Sequence, residues 1–123
     1  MNNLKIEGTS KIPAVTFDAG KGLLDIKGRS ITENAMRFYQ PMIEWLTDYL
    51  NDPAEETIFN ITFEYINSSS VVWLMKMLKK METAYRSGRK IIVNWYYCDE
   101  DIMDAGEDIK AILDIPFKMI KSN

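Results

Sequence analysis

An asparagine and three serines, Asn67-Ser68-Ser69-Ser70, separate the apolar run that ends at Glu64-Tyr65-Ile66 from the one that begins at Val71-Val72-Trp73. Two kinds of chemistry are open to hydroxyls at such a junction. One serine can cap a helix by accepting a backbone N–H bond. A single residue suffices for that, so capping does not explain three. A hydroxyl at the start of a helix is also a favourable phosphate acceptor. Unpaired backbone donors and the positive end of the helix dipole stabilise an added charge of about −1.5 to −2. Such a group reverses the local electrostatics without unfolding the domain.

Other residues with chemical potential have blander readings. Asp18-Ala19-Gly20-Lys21-Gly22 superficially suggests a phosphate loop, but it lacks Walker spacing and leads into a strand, so it reads as a hairpin turn. The acids Asp99, Glu100, Asp101, Asp104, Glu107 and Asp108 do not match the alternating ligands and central glycine of a calcium loop. They read as dipole-compensating charges on a solvated helix, and no metal site is expected. Trp95-Tyr96-Tyr97 reads as sheet packing, with Tyr96 on the opposite side from its neighbours. Met75 and Met81 lie on an apolar helical stripe, whereas Trp73 and Met77, four residues apart on its flank, are the better candidates for a contact surface.

Composition removes several functions. The chain of 123 residues has no histidine and a single cysteine, Cys98. Imidazole-dependent triads and metal sites are therefore excluded, and no internal disulfide can form, which suits a reducing cytoplasm. A net charge of −3 argues against a dedicated nucleic-acid binder. No leader and no membrane-spanning run is apparent, so a cytoplasmic protein without membrane insertion or cofactor is expected.

These residues must be positioned by a fold, and the patterning predicts one. Ala14–Phe17 and Leu23–Lys27 form a β-hairpin, with Leu4–Ile6 an extra edge strand. Ser30-Ile31-Thr32-Glu33 has the spacing of a capping box, and Phe38, Met42, Trp45, Leu46 and Tyr49 recur at helical intervals. Pro41 is expected to kink that helix or split it in two. From Thr57 to Ile66 the chain alternates, with Phe59, Ile61, Phe63 and Tyr65 on one side. A second helix carries Val71, Leu74, Met75, Leu78, Met81 and Tyr85, with Gly88 at its C-terminal cap. A strand over residues 91–97, a helix starting near Asp99 with Gly106 as a weak point, and a short strand from Phe117 to Ile120 complete the order. The prediction is a single α/β domain over residues 1–123, an N-terminal β-hairpin followed by alternating helices and strands, with helices packed on a mixed central sheet. This element order resembles the STAS domains of anti-sigma-factor antagonists.

Glu33 to Leu50 (ENAMRFYQPMIEWLTDYL), Glu64 to Leu78 (EYINSSSVVWLMKML) and Gly88 to Asp101 (GRKIIVNWYYCDED) resemble, in order, the SiaC family of bacterial regulatory phosphoproteins. The most specific parts are the Tyr-x-Asn-Ser/Thr-Ser-Ser turn and the Trp-Tyr-Tyr strand end. The resemblance implies a non-catalytic, STAS-like switch phosphorylated on the hydroxyl residue after the asparagine. That residue is Ser68, with Ser69 and Ser70 as adjacent alternatives. It also implies a serine/threonine kinase that adds the phosphate and a metal-dependent serine/threonine phosphatase that removes it. The unmodified form is expected to bind a diguanylate cyclase and promote cyclic di-GMP synthesis, favouring biofilm formation.

The expected partner surface comprises Asn67, Ser68, Ser69, Ser70, Trp73, Met77 and the loop from Tyr97 to Asp101, including Asp99 and Asp101. Asn67 shapes the turn, while Ser69 and Ser70 supply capping contacts. The alternative, from the STAS-like order, is an antagonist that binds an anti-sigma kinase and controls transcription. A third reading, a carboxylate enzyme using Glu64 or the acidic helix, requires a closed pocket holding a carboxylate of raised pKa.

Overall fold

The computed structural model describes residues 1–122. Along the chain run β1 (Leu4–Ile6), β2 (Ala14–Asp18), β3 (Leu23–Ser30), α1 (Ala35–Asn51), β4 (Glu56–Ile66), α2 (Ser68–Arg86), β5 (Lys90–Tyr97), α3 (Glu100–Ile112) and β6 (Phe117–Lys121). They build one mixed sheet in which spatial order equals chain order, β1 to β6. The first three strands pair antiparallel and the last four parallel. The predicted hairpin is present, its turn closed by Gly22 N–H donating to the Asp18 carbonyl at 2.9 Å. Among the described residues no helix is long and apolar enough to cross a membrane.

Each parallel step moves the chain one position further along the sheet. Right-handed crossovers then put every helix on the same face. Side-chain contacts bear this out. Trp45 of α1 meets Phe17, and Phe17 meets Phe59. Trp95 meets Phe63 and Phe117, and its ring N–H donates to the Ile102 carbonyl of α3 at 2.9 Å. Val15, Leu24, Ile26, Ile61 and Val93 fill the same layer. The other face is open and polar. Thr16, Asp25, Asn60, Asn94 and Lys118 stand in register across it, and the Asn94 side chain donates to that of Asn60 at 2.9 Å.

Several local expectations change. Ser30 is not a helix cap. It is the buried last residue of β3, and Asn34 caps α1 by accepting from Arg37 N–H at 3.2 Å. Pro41 neither ends nor divides α1, which continues through it. Only the bond a residue there would donate to the Arg37 carbonyl is missing, and the proline is exposed. Tyr65 does not follow Phe63 inward. The β3–β4 pairing shifts between Gly28 and Arg29, leaving Glu64 as an extra residue on β4. This bulge turns Tyr65 outward, 51% exposed.

Gly88 does end α2. At φ 110° it follows the C-cap Ser87, and Gly88 and Arg89 N–H groups donate back to the Tyr85 and Ala84 carbonyls, the paired bonds of a Schellman motif. Gly106 is a packing requirement rather than a weak point. A Cβ there would lie 2.4 Å from Trp95 Nε1 and 2.8 Å from the Met119 methyl. The lack of a side chain lets α3 settle on the indole. Gly106→Ala is therefore expected to lower stability by about 1–3 kcal/mol, although alanine has the higher helix propensity. A urea midpoint equal to or above the wild-type value would refute this.

Glu82 ties the far end of α2 to the segment before β6. Its buried carboxylate accepts from the Asp114 N–H and pairs with Arg86 at 3.7 Å and Lys79 at 3.9 Å. The Asp114 N–H, chiefly, and the two cations hold its pKa below the ordinary 4.5, against the opposing effect of burial. A depressed folded pKa contributes stability above the unfolded value, and that contribution disappears as pH falls through the folded one. Wild type is accordingly expected to melt above Glu82→Gln at neutral pH. The gap should close as pH drops below about 4.5. Thermal melts at several pH values check this, and a constant gap is the contrary result.

Candidate functional site

The serine turn forms the start of α2, at the end of the sheet where the parallel strands finish. Asn67 is the N-cap, with extended φ −84° and ψ 166°. Its side-chain oxygen accepts from Ser70 N–H at 2.9 Å and from the Ser69 hydroxyl at 3.2 Å. Its amide donates to the Thr32 carbonyl at 3.2 Å, and its backbone N–H to the Ser30 carbonyl at 2.9 Å. Capping thus falls to the asparagine and not to a serine. The three serines are the first residues of the helix, and their environments differ.

Ser70 is completely buried. Its hydroxyl accepts from Ser30 Oγ at 2.8 Å and donates to the Ser30 carbonyl at 3.3 Å. Because Ser30 spends its only hydroxyl proton on Ser70, the 2.7 Å contact between Ser30 Oγ and the Tyr39 hydroxyl has Tyr39 as donor. Burial pushes the Tyr39 phenol up to about 12, against the smaller lowering effect of its serine partners, so it remains a donor. Ser68 and Ser69 are exposed. Ser69 is turned back onto Asn67, whereas the Ser68 hydroxyl has no hydrogen-bond partner among the described residues. The N–H groups of Ser68 and Ser69 precede the first α2 bonds, in which Ser70 and Val71 N–H groups donate to Asn67.

Electrostatics distinguish this helix start from the next one. The first turn of α2 carries no acidic residue, while α3 has Glu100 and Asp101 in its first turn and Asp99 as cap. Asp99 accepts from Ile102 N–H at 2.9 Å. The predicted Tyr97–Asp101 loop lies at the same end of the sheet as the serine turn, beside a 350 Å³ hollow lined by Tyr97, Cys98, Asp99 and Glu100. No hydrogen bond or ion pair joins that loop to the turn among the described residues. Trp73 is half-buried one turn beyond the serines, with Lys76 Nζ 4.0 Å from its ring centroid.

Met77, predicted for the contact surface, is fully buried. The core stripe of α2 runs through Leu74, Met77, Leu78 and Met81, while Met75 is only half-buried. Both methionines flank Leu74 and Leu78, so apolar periodicity alone does not choose between them. Glu64, proposed for a carboxylate site, is exposed on the bulge and lines a hollow of about 410 Å³ with Lys27, Thr62 and Tyr96. The carboxyl whose pKa burial raises is Asp25, partly offset by Lys27, on the open face of the sheet. The sequence reading missed Ser30 and Tyr39. Tyr39, Met42, Leu46 and Tyr49 share helical spacing, so Tyr39 was readable as buried, though not its hydroxyl partners.

The family model for SiaC family regulatory phosphoproteins matches residues 6–122. The chain belongs to that family. An uncharacterized protein of Pseudomonas aeruginosa strain UCBPP-PA14 is 29% identical over 119 residues, covering 95% of this chain and 94% of its own. The crystal structure of apo-SiaC from Pseudomonas aeruginosa has a TM-score of 0.92 at 28% identity, over 98% of this chain and 99% of that one. SiaC in complex with the diguanylate cyclase SiaD, whose activator it is, gives 0.91 at 27% identity over 97% and 99%. The mixed α/β domain is therefore that of SiaC structures, and the chain is a regulatory protein.

Asn67 makes five of the contacts that define the turn, three of them through its side chain. Asn67→Ala is expected to cost about 1–2 kcal/mol of stability, the upper range for a helix cap, because the Thr32 contact is lost as well. Urea unfolding measures it. A change within error of zero would show that Asn67 does not hold the turn.

Proposed function

We propose that this protein is a non-catalytic, cytoplasmic switch that binds and activates a diguanylate cyclase when unmodified, and that phosphorylation of Ser68 releases it. The carrying observation is its full-length likeness to an activator solved with its cyclase. The output is then cyclic di-GMP synthesis, favouring biofilm formation. A serine/threonine kinase writes the phosphate, and a metal-dependent serine/threonine phosphatase erases it.

The environments of the serines support Ser68 as acceptor. Ser70 is inside the protein and fully engaged. Ser69 is exposed but directed to Asn67. Ser68 is exposed, and the free N–H groups and uncompensated dipole of α2 favour a phosphate there. The mechanism follows from charge. A neutral hydroxyl turn can be covered by a partner at small cost, whereas a charge of about −1.5 to −2 must be desolvated or kept wet.

Phosphopeptide mapping of protein purified from its host, with a phosphatase-treated control, is expected to find phosphate on Ser68 and none on Ser70. In titration calorimetry with the host's diguanylate cyclase, Ser68→Ala should bind like wild type. Ser68→Asp should bind about tenfold more weakly or worse. Equal affinities for all three proteins would remove the switch while leaving cyclase binding in place.

A further inference from the structure

No helix covers the second face of the sheet, and its side chains form an ordered pattern. Across its middle, Asp25, Asn60, Asn94 and Lys118 stand in one register row on β3, β4, β5 and β6. The row has a carboxylate at one end and an ammonium at the other. Neither takes part in an ion pair among the described residues. Between them the Asn94 amide donates to the Asn60 side-chain oxygen. That bond leaves the Asn60 amide N–H groups and the Asn94 side-chain oxygen without a partner among the described residues. One row nearer the starts of these strands, Leu23, Ile58 and Ile92 form an apolar band, with Leu23 41% exposed.

We propose that this face is the interface of a two-fold dimer of the chain. Two sheets packed face to face can be related by a two-fold axis lying across the strands or along them. An axis across the strands lays each strand on its own copy, so Asp25 meets Asp25 of the partner subunit and Lys118 meets the partner's Lys118. Like charges then oppose each other at both ends of the row. An axis along the strands, between β4 and β5, instead lays β3 on the partner's β6 and β4 on its β5. Asp25 now meets Lys118 of the partner subunit, and the reciprocal pair forms at the other end. The free N–H groups of Asn60 face the free side-chain oxygen of the partner subunit's Asn94. Ile58 lies against the partner's Ile92, closing the apolar band. Charge, amide orientation and apolar surface are thus all complementary about this one axis.

Four strands about 4.8 Å apart and about 20 Å long give a footprint of about 400 Å² per copy in projection. An interface of that size is at the small end of specific complexes, so the dimer is reversible, with a Kd on the order of 10 μM. A nucleic acid is a poorer occupant because the row carries both signs of charge, and a bilayer because the centre of the face is polar. With the axis along the strands, the helices of both copies stay outside and both serine turns emerge at the same end. The dimer therefore presents its two turns as one bivalent surface.

Sedimentation velocity of the full chain, from about tenfold below to about tenfold above that Kd, tests the interface. Wild type is expected to pass from monomer to dimer over this range. Asp25→Lys and Lys118→Asp should each associate about tenfold more weakly or worse, since either reversal sets like charges together at both ends of the dimer. An equimolar mixture of the two variants should recover dimer close to the wild-type level, because opposite charges again meet at both ends. Such recovery cannot come from variants that fail to fold. Wild type that stays monomeric throughout overturns the dimer. Single variants that associate like wild type overturn this face as its interface, and a mixture that stays monomeric overturns the pairing of Asp25 with Lys118.

Discussion

Three hydroxyls buried where β3, α1 and α2 converge govern the functional end of the molecule. Tyr39 donates to Ser30, Ser30 to Ser70, and Ser70 back to the Ser30 carbonyl. A hydroxyl removed from water without a partner costs on the order of 1–3 kcal/mol, so such a set is stable only when every member is satisfied. That condition fixes the depth of the α2 N-terminus. With Ser70 held inside, helical geometry puts Ser68 outside and Ser69 above the cap. The exposure of one serine is thus a consequence of burying another, two residues later. Asn67 adds a second constraint by joining the same helix start to Thr32 and Ser30.

The sheet topology makes this end available. Because each crossover advances by one position, all three helices occupy one face, and all three start at the same end of the sheet. Three helix N-termini there present three positive dipole ends, and α1, like α2, has no acid in its first turn. Only α3 is treated differently. At α3, Asp99, Glu100 and Asp101 neutralise the dipole permanently. At α2 the helix opens on three serines, and no carboxylate offsets the dipole there.

Much of the fold was readable because alternation and helical periodicity report burial, and burial dominates the energetics of a sheet covered on one face. The β4 run from Thr57 to Phe63 alternated as it is buried, and the hairpin followed from Asp18 to Gly22. The exceptions arise where a tertiary contact overrides a local rule. Ser30 matched a capping box, but pairing with β4 kept it in the strand and left Asn34 to cap the helix. Tyr65 broke alternation because a bulge, invisible to periodicity, added Glu64 to the strand. Gly106 looked like a defect in a helix because the indole that occupies its missing side chain belongs to β5. At the site, the serines and their cap were legible from residue type. Which serine is buried depended on Tyr39 and Ser30, some 30 to 40 residues away in sequence.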